Sequence, residues 1–202
     1  MKSLHVETAT ASGEAAAIAT LTLAFAADPM TRWSWPDPGI YLDAFPKFAR
    51  AFGGAAFAKG SAHCVEGSAG VALWLPPGVE PDGEALGALM QSTLKGPALM
   101  EGAGIMQQMM EFHPHEPHWY LPLIGIDPQH QGKGLGGALL DHALALSDRD
   151  GVPAYLESSN PRNIGLYERH GFEPLGRIQN GSSPTLVPML RKPARRGRSV
   201  GQ

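Results

Sequence analysis

The pattern of hydrophobic and polar positions predicts helices and strands that alternate along the chain. Apolar residues recur at helical spacing in some segments, and short runs rich in β-branched and aromatic residues indicate strands in others. The predicted helices cover residues 13–27, 41–57, 82–112, 138–150 and 161–170, and the predicted strands cover 4–8, 63–66, 71–75, 119–126, 153–158, 172–179 and 184–190. Such alternation favours an α/β class in the loose sense (α+β), with a central mixed sheet flanked by helices.

Local signals set several of these boundaries. Ser12 stands where the first helix would have its N-cap, and Asp28-Pro29 ends that helix. Gly53-Gly54 weakens the second helix, and residues 67–70 close a predicted hairpin. We therefore expect the first half of the chain to combine two helices with a hairpin.

Length and charge narrow the class of protein. A chain of 202 residues suits one domain, predicted over 1–192, followed by a disordered basic tail over 193–202. The formal net charge of −3 gives no reason to expect a nucleic-acid partner. Cys64 is the only cysteine, so no internal disulfide is predicted and a reducing compartment is allowed. A homodimer is left open.

An apolar run from Ala15 to Ala27 has the length of a secretory signal. Glu7 and Glu14 precede it, however, and its helical periodicity suits a helix packed on a sheet. No apolar stretch is long enough for a membrane span. The sequence therefore predicts a cytoplasmic protein without a membrane partner.

A glycine-rich segment joins the predicted strand 119–126 to the helix that follows. It reads Gln131-Gly132-Lys133-Gly134-Leu135-Gly136-Gly137. Closely spaced glycines let the backbone turn tightly, so that several N–H groups point at one position before a helix N-terminus. This geometry binds an anion, usually a phosphate, and the Lys133 ammonium adds a positive charge.

Two phosphate ligands fit this spacing. Gly132, Gly134 and Gly137 satisfy G-x-G-x-x-G, and Glu157 follows at the distance of a ribose-binding acid, as in dinucleotide-binding domains. Five residues, however, separate the glycines from the strand, and too little chain follows for a six-stranded nucleotide fold. The alternative is Gln131-x-x-Gly134-x-Gly136, a pyrophosphate loop.

The downstream sequence decides between them. Tyr155-Leu-Glu157, Asn160-Pro-Arg-Asn163 and Tyr167-Glu-Arg-His-Gly-Phe172 follow the loop in order. With that loop they resemble the GCN5-related N-acetyltransferase (GNAT) superfamily, most closely its puromycin N-acetyltransferase-like branch. The strong likeness covers residues 117–192. It implies acetyl-CoA as cosubstrate and an amine as acceptor. Because Cys64 lies far from these motifs, no covalent relay is suggested, and direct acetyl transfer in a ternary complex is expected.

The resemblance also implies which residues contact coenzyme A. The pyrophosphate is expected on the loop residues 131–137, and the pantetheine arm along the edge formed by Ile124, Gly125 and Ile126. Asn160 matches the asparagine of many family members, whereas Asn163 matches the puromycin-like branch. Pro161 between them indicates a helix start, so either asparagine is alternatively a cap.

The catalytic candidates divide into one acid and three bases. Tyr167 is the expected general acid, because a phenol stays protonated at neutral pH and can donate to the departing thiolate; its alternative is a core tyrosine under Phe172. The acceptor is mostly an ammonium ion and must lose a proton, for which Glu157, Glu116 and His118 are the candidates. Each of these three residues could instead have a purely structural role, without taking part in proton transfer.

The acceptor half of the site is less specified. Trp33, Trp35, Tyr41 and Trp74 are candidates for an aromatic wall, or for simple core cover. Few acids accompany them, which favours a small amine with an apolar or aminoacyl body over a polycation. Prolines interrupt the histidines at 113, 115 and 118, so a metal site is disfavoured. The competing function is a catalytically silent acyl-CoA-binding module.

Overall fold

The computed structural model describes residues 4–194, and most of the predicted basic tail, residues 195–202, lies outside the described residues. The described chain contains a seven-stranded mixed sheet with helices on both faces, which confirms the predicted fold class. The strands are β1 Val6–Thr8, β2 Ala62–Val65, β3 Gly70–Leu75, β4 Trp119–Ile126, β5 Ala154–Ser158, β6 Glu173–Pro174 and β7 Val187–Arg191. Their order is β1-β2-β3-β4-β5-β7-β6.

Eight α-helices connect these strands in the described range. They are α1 Glu14–Ala24, α2 Pro29–Ser34, α3 Pro38–Gly53, α4 Ala55–Lys59, α5 Gly83–Thr93, α6 Pro97–Phe112, α7 Leu135–Asp150 and α8 Ile164–Arg169. Short 3₁₀ turns precede α1 and α8 and follow β4. None of the helices within residues 4–194 is both long enough and apolar enough to cross a membrane.

The sheet is covered by two apolar layers. One face packs against α1, α3 and α5 around Phe45, Leu73 and Leu123, and the other packs against α7 around Leu139 and Leu140. Alternate residues of β3 point into opposite layers, and all six residues of this strand are buried. The central strands are therefore fixed from both sides, which holds the ends of β4 and β5 in place.

Three local expectations need correction. Ser12 lies inside a 3₁₀ turn, and Gly13 takes the N-cap position of α1 without a side-chain hydrogen bond. The helix predicted from 41 begins at Pro38, because the Asp37 side chain caps it, and it breaks at Gly54. The strand predicted over 172–179 is reduced to β6 and an isolated bridge at Ile178.

Candidate active site

The parallel strands β4 and β5 separate partway along their length. Their pairing covers residues 119–121 of β4 and 154–156 of β5 and then ends. Pro122 follows, and it has no N–H to donate to a neighbouring strand. Beyond this point β4 continues to Ile126 and pairs with β3 alone. A wedge therefore opens between the two central strands, and the edge of β4 can pair with an extended ligand.

The glycine-rich loop lies at the end of this wedge, between β4 and α7. Gly132 and Gly134 have φ angles of 74° and 80°, which is left-handed backbone that glycine adopts without strain. Gly134 is also the N-cap of α7, and no side chain caps this helix end. The first N–H groups of a sixteen-residue helix are consequently available to an anion.

Two side chains brace the loop from within. The Gln131 side-chain amide donates to the carbonyl oxygen of Ile126 at 3.2 Å, which ties the loop to the end of β4. The Lys133 ammonium donates to the carbonyl oxygen of Gln129 at 3.2 Å and remains exposed. The predicted loop residues are thus brought together at one helix N-terminus with a lysine beside them.

The two candidate asparagines have different environments. The Asn160 side chain accepts a hydrogen bond from the backbone N–H of Arg162 and caps the 3₁₀ turn before α8. Asn163 is exposed, and its side chain makes no hydrogen bond to another described residue. Asn163 therefore remains the better candidate for a ligand contact, whereas Asn160 shapes the chain at the end of β5.

An apolar cavity of about 140 Å³ adjoins the mouth of the wedge. Pro122 and Leu123 of β4 and Glu157 of β5 line its inner end. The rest of its wall is built by α2, α3, α5 and α6, and it includes Trp33, Trp35, Phe48, Phe52, Leu89, Met90, Leu94, Ile105, Met106 and Met109. Engineered protein cavities of about 150 Å³ bind benzene, so this space suits a small apolar group.

Two of the four aromatic candidates contribute to that wall. The Trp33 indole donates to the Ser182 hydroxyl at 3.1 Å, and the Trp35 indole donates to the Thr93 hydroxyl at 3.0 Å. Tyr41 is buried, donates to the carbonyl oxygen of Thr22, and does not line the cavity. Trp74 is buried in the layer under α7, on the other face of the sheet. The assignments of Tyr41 and Trp74 to the acceptor wall are therefore wrong.

Glu157 lies between this cavity and a larger outer cavity of about 460 Å³. The Tyr120 hydroxyl donates to its Oε2 at 2.7 Å, and its Oε1 is buried without a partner among the described residues. Burial raises the pKa of Glu157 from 4.5 to about 7, although hydrogen bonds lower it in part. A carboxyl group with this pKa can accept a proton from an amine near neutral pH.

The other two predicted bases lie elsewhere. Glu116 is exposed and its side chain lines neither cavity. His118 is buried, also outside both linings, and pairs through Nε2 with Nε2 of His113 at 3.0 Å. His113 lines the outer cavity, and burial lowers its pKa to about 4. Glu116 and His118 thus do not line the cavities that Glu157 separates, and Glu157 is the predicted base that the structure brings to both of them.

Tyr167 is held in the core layer that packs against α7, near enough to Asp28 to feel the charge of its carboxylate. It is 5% exposed, and its ring packs edge-on against Phe172 at 6.1 Å. The hydroxyl makes no hydrogen bond to another described residue, and burial, aided by the nearby Asp28 carboxylate, raises its pKa above the usual value. Tyr167 thus combines the core-packing role with a phenol that stays protonated.

Asp28 is a site residue that the sequence indicated only as a helix stop. Its Oδ1 accepts from the backbone N–H groups of Met30 and Thr31 and caps α2, while Oδ2 accepts from the Ser159 hydroxyl at 2.7 Å. Asp28 lines the apolar cavity, and burial raises its pKa. The Asp28–Ser159 hydrogen bond connects the start of α2 to the end of β5.

His113 and His118 contact each other, but they are not part of a metal-binding group in the described residues. In the part of the chain that the structure describes, no three His, Cys, Asp or Glu side chains are arranged to hold a metal ion. Cys64 is buried on β2 and lines neither cavity. The functional groups at the wedge are therefore carboxylates, phenols and backbone N–H groups.

Comparison with known proteins agrees with this geometry. A model of the Acetyltransferase (GNAT) family matches residues 30–172. The chain belongs to the GNAT family. Members of this family use acetyl-CoA as cosubstrate, and the wedge and the uncapped helix N-terminus fit its extended arm and its pyrophosphate. The narrower resemblance to the puromycin-like branch stays a prediction.

Individual GNAT relatives extend the comparison. An uncharacterised N-acetyltransferase of Schizosaccharomyces pombe is 28% identical over 141 residues, which cover 62% of this chain and 57% of the yeast protein. A mycothiol acetyltransferase of Jonesia denitrificans is 33% identical over 79 residues, 38% of this chain and 25% of that protein. The chain therefore spans from a quarter to just over half of these two relatives.

A solved GNAT structure covers the whole fold. The crystal structure of histone acetyltransferase HPA2 and related acetyltransferase from Corynebacterium glutamicum has 29% sequence identity and a TM-score of 0.68. It covers 96% of this chain and 99% of its own. The helices and the mixed sheet described above are thus the arrangement of a known acetyltransferase.

Proposed function

We propose that this protein transfers the acetyl group of acetyl-CoA to the primary amine of a small acceptor with an apolar or aminoacyl body. The observation that carries the proposal is the position of Glu157, at the mouth of the β4–β5 wedge and in the wall of the apolar cavity. A thioester held in the wedge and an amine held in the cavity would meet at this carboxyl group.

The donor half is supported by backbone geometry. The N–H groups at the start of α7 and the Lys133 ammonium would hold the pyrophosphate, because both carry positive charge or partial positive charge. The unpaired edge of β4 from Ile124 to Ile126 would hold the pantetheine amides. Asn163, which is exposed at the start of α8, would add a further polar contact.

The acceptor half is supported by the character of the cavity wall. Its two tryptophans and several methionines are large and apolar, and methionine side chains adapt to different shapes. Asp28 and Glu157 are the carboxyl groups among the lining residues, and Asp28 is already hydrogen-bonded by Ser159 and by two backbone N–H groups. This lining favours an acceptor with one amine over a polycation.

The chemistry needs one proton removed and one thiolate stabilised. Glu157 accepts the proton of the attacking amine as the C–N bond forms and the C–S bond breaks. Tyr167 donates a hydrogen bond to the departing sulfur. Since burial raises the pKa of Tyr167, complete proton transfer to a thiolate is disfavoured, and the phenol acts mainly by hydrogen bonding. Cys64 is buried on β2, away from both cavities, and is not placed to carry the acetyl group. The amine therefore attacks acetyl-CoA directly in a ternary complex.

The test is a competition between acceptors. Release of free thiol from acetyl-CoA is measured with aromatic amino-acid amides, simple arylalkylamines, spermidine and kanamycin. Higher kcat/KM for the apolar amines supports the proposal, and a preference for the polycations contradicts the acceptor assignment. Tight acetyl-CoA binding with no thiol release for any amine would favour the silent binding module instead.

A further inference from the structure

Two tyrosines flank the Glu157 carboxyl group. Tyr120 on β4 lies beside Tyr155 on β5 in the parallel register, and their ring centroids are 5.8 Å apart. Tyr155 and Glu157 point to the same face of β5, because alternate residues of a strand share a face. The carboxyl group therefore has one phenol on its own strand and one on the neighbouring strand.

The hydrogen bonding of this group is incomplete. Tyr120 donates to Oε2 at 2.7 Å, but Oε1 and the Tyr155 hydroxyl are both buried and neither makes a well-formed hydrogen bond within residues 4–194. Burial raises the pKa of the Tyr155 phenol, and the adjacent Glu157 carboxylate raises it further through its charge and a side-chain hydrogen bond. A buried donor and a buried acceptor that remain unpaired side by side are costly, which indicates that they are paired in the working state.

Histidines at the end of α6 and the start of β4 hold both phenols in place. The His113 ring lies edge-on to Tyr120 and Tyr155, with centroid distances of 4.9 and 5.0 Å. His118 fixes that ring through the Nε2–Nε2 contact, and its Nδ1–H donates to the carbonyl oxygen of Glu116 at 2.8 Å. The rings of both tyrosines are thus restrained against rotation.

We propose that Tyr120 and Tyr155 are positioning residues that grip the two oxygens of Glu157 and orient its carboxylate toward the acceptor nitrogen. This inference rests on the proposed role of Glu157 as the base. Tyr120 holds Oε2 in the free enzyme. Tyr155 pairs with Oε1, directly or through a water molecule.

Hydrogen bonds from phenols stabilise the charged form of a carboxyl group. They therefore oppose the effect of burial and lower the pKa of Glu157 toward neutrality. Other ionisable groups face this region as well: Asp28 from the start of α2, Glu80 from the segment after β3, and His113 and His115 from the outer cavity. The Tyr120→Phe and Tyr155→Phe variants leave all of these groups in place.

Direct titration of Glu157 tests the inference without relying on activity. Protein labelled with ¹³C at glutamate carboxyl groups is titrated by NMR, and the Glu157 signal is assigned by its loss in Glu157→Gln. Tyr120→Phe should raise the pKa of Glu157 by about one pH unit, since a hydrogen bond to a charged group is lost. Tyr155→Phe should raise it by a smaller amount. The matched control is Tyr41→Phe, which removes a buried phenol that bonds the Thr22 carbonyl instead.

Activity then separates this inference from the proposed function. If Glu157 is the base, the acid limb of the pH profile of kcat/KM moves upward with the titrated pKa in both variants, while the Kd for acetyl-CoA is unchanged. Full activity of Glu157→Gln overturns the base assignment, whatever the titration shows. A Glu157 pKa in folded Tyr120→Phe and Tyr155→Phe that equals that of the wild type overturns the positioning roles.

Discussion

Replacing Glu157 by Gln is expected to stabilise the protein at alkaline pH while it removes acetyl transfer. Burial raises the pKa of this carboxyl group from 4.5 to about 7, so the folded protein holds the proton more tightly than the unfolded chain does. The stability from this group is therefore present below pH 4.5 and is lost as the pH rises through 7. At about 1.36 kcal/mol per pH unit, ionised Glu157 costs ~3 kcal/mol at pH 8.

Glutamine removes that cost because it carries no charge and keeps an oxygen that can accept from Tyr120. The free energy of unfolding of Glu157→Gln should exceed that of the wild type by ~1–3 kcal/mol at pH 8, and by little at pH 5. Urea unfolding followed by tryptophan fluorescence at both pH values measures the difference, since Trp35 and Trp74 are buried. Glu173→Gln, on exposed β6, is the control.

Three results would refute this reasoning. A stability difference between Glu157→Gln and the wild type that does not grow from pH 5 to pH 8 would mean that burial does not disfavour the carboxylate. Wild-type kcat in Glu157→Gln would mean that another group removes the proton. Lower stability of Glu157→Gln than of the wild type at pH 8 would also contradict the cost of burying the carboxylate. It would show that the folded protein stabilises ionised Glu157 better than the neutral amide.

Three other perturbations follow from the structure. Tyr167→Phe should lower kcat by roughly 10²-fold with the Kd for acetyl-CoA nearly unchanged, and a loss of stability alone would leave only the packing role. Gly134→Val should abolish coenzyme A binding in calorimetry, because φ at this position is 80°, whereas Gly83→Val, at an exposed helix start, should bind normally. Burial lowers the pKa of His63 from 6.5 to about 4, so its contribution to stability is lost as the pH falls from 6.5 to about 4. His63→Phe should remove this loss, and an unchanged pH dependence of the free energy of unfolding would contradict the prediction.

The sequence by itself determined the glycine-rich loop and the strand that precedes it. Gly132 and Gly134 have left-handed backbone, which favours glycine. Their spacing therefore predicts the turn of the loop without knowledge of the tertiary contacts around it. Strand 119–126 was predicted to the residue, because it is a long apolar run between clear turn signals. Helix 82–112 was predicted as helix-like, although the structure divides it at Leu94 to Gly96. Local backbone chemistry fixes features of this kind.

Only the tertiary structure decided which candidate side chains line the apolar cavity. Trp35 and Trp74 are equally apolar in the sequence, but strand alternation places Trp74 under α7 and the fold of α2 places Trp35 at the cavity. Glu116 and Glu157 are likewise both carboxylates near β4 and β5, yet Glu116 is exposed, whereas Glu157 lies at the cavities and burial raises its pKa to about 7. Burial and pairing between distant segments set these roles, and a single sequence does not record which face of the sheet a side chain occupies.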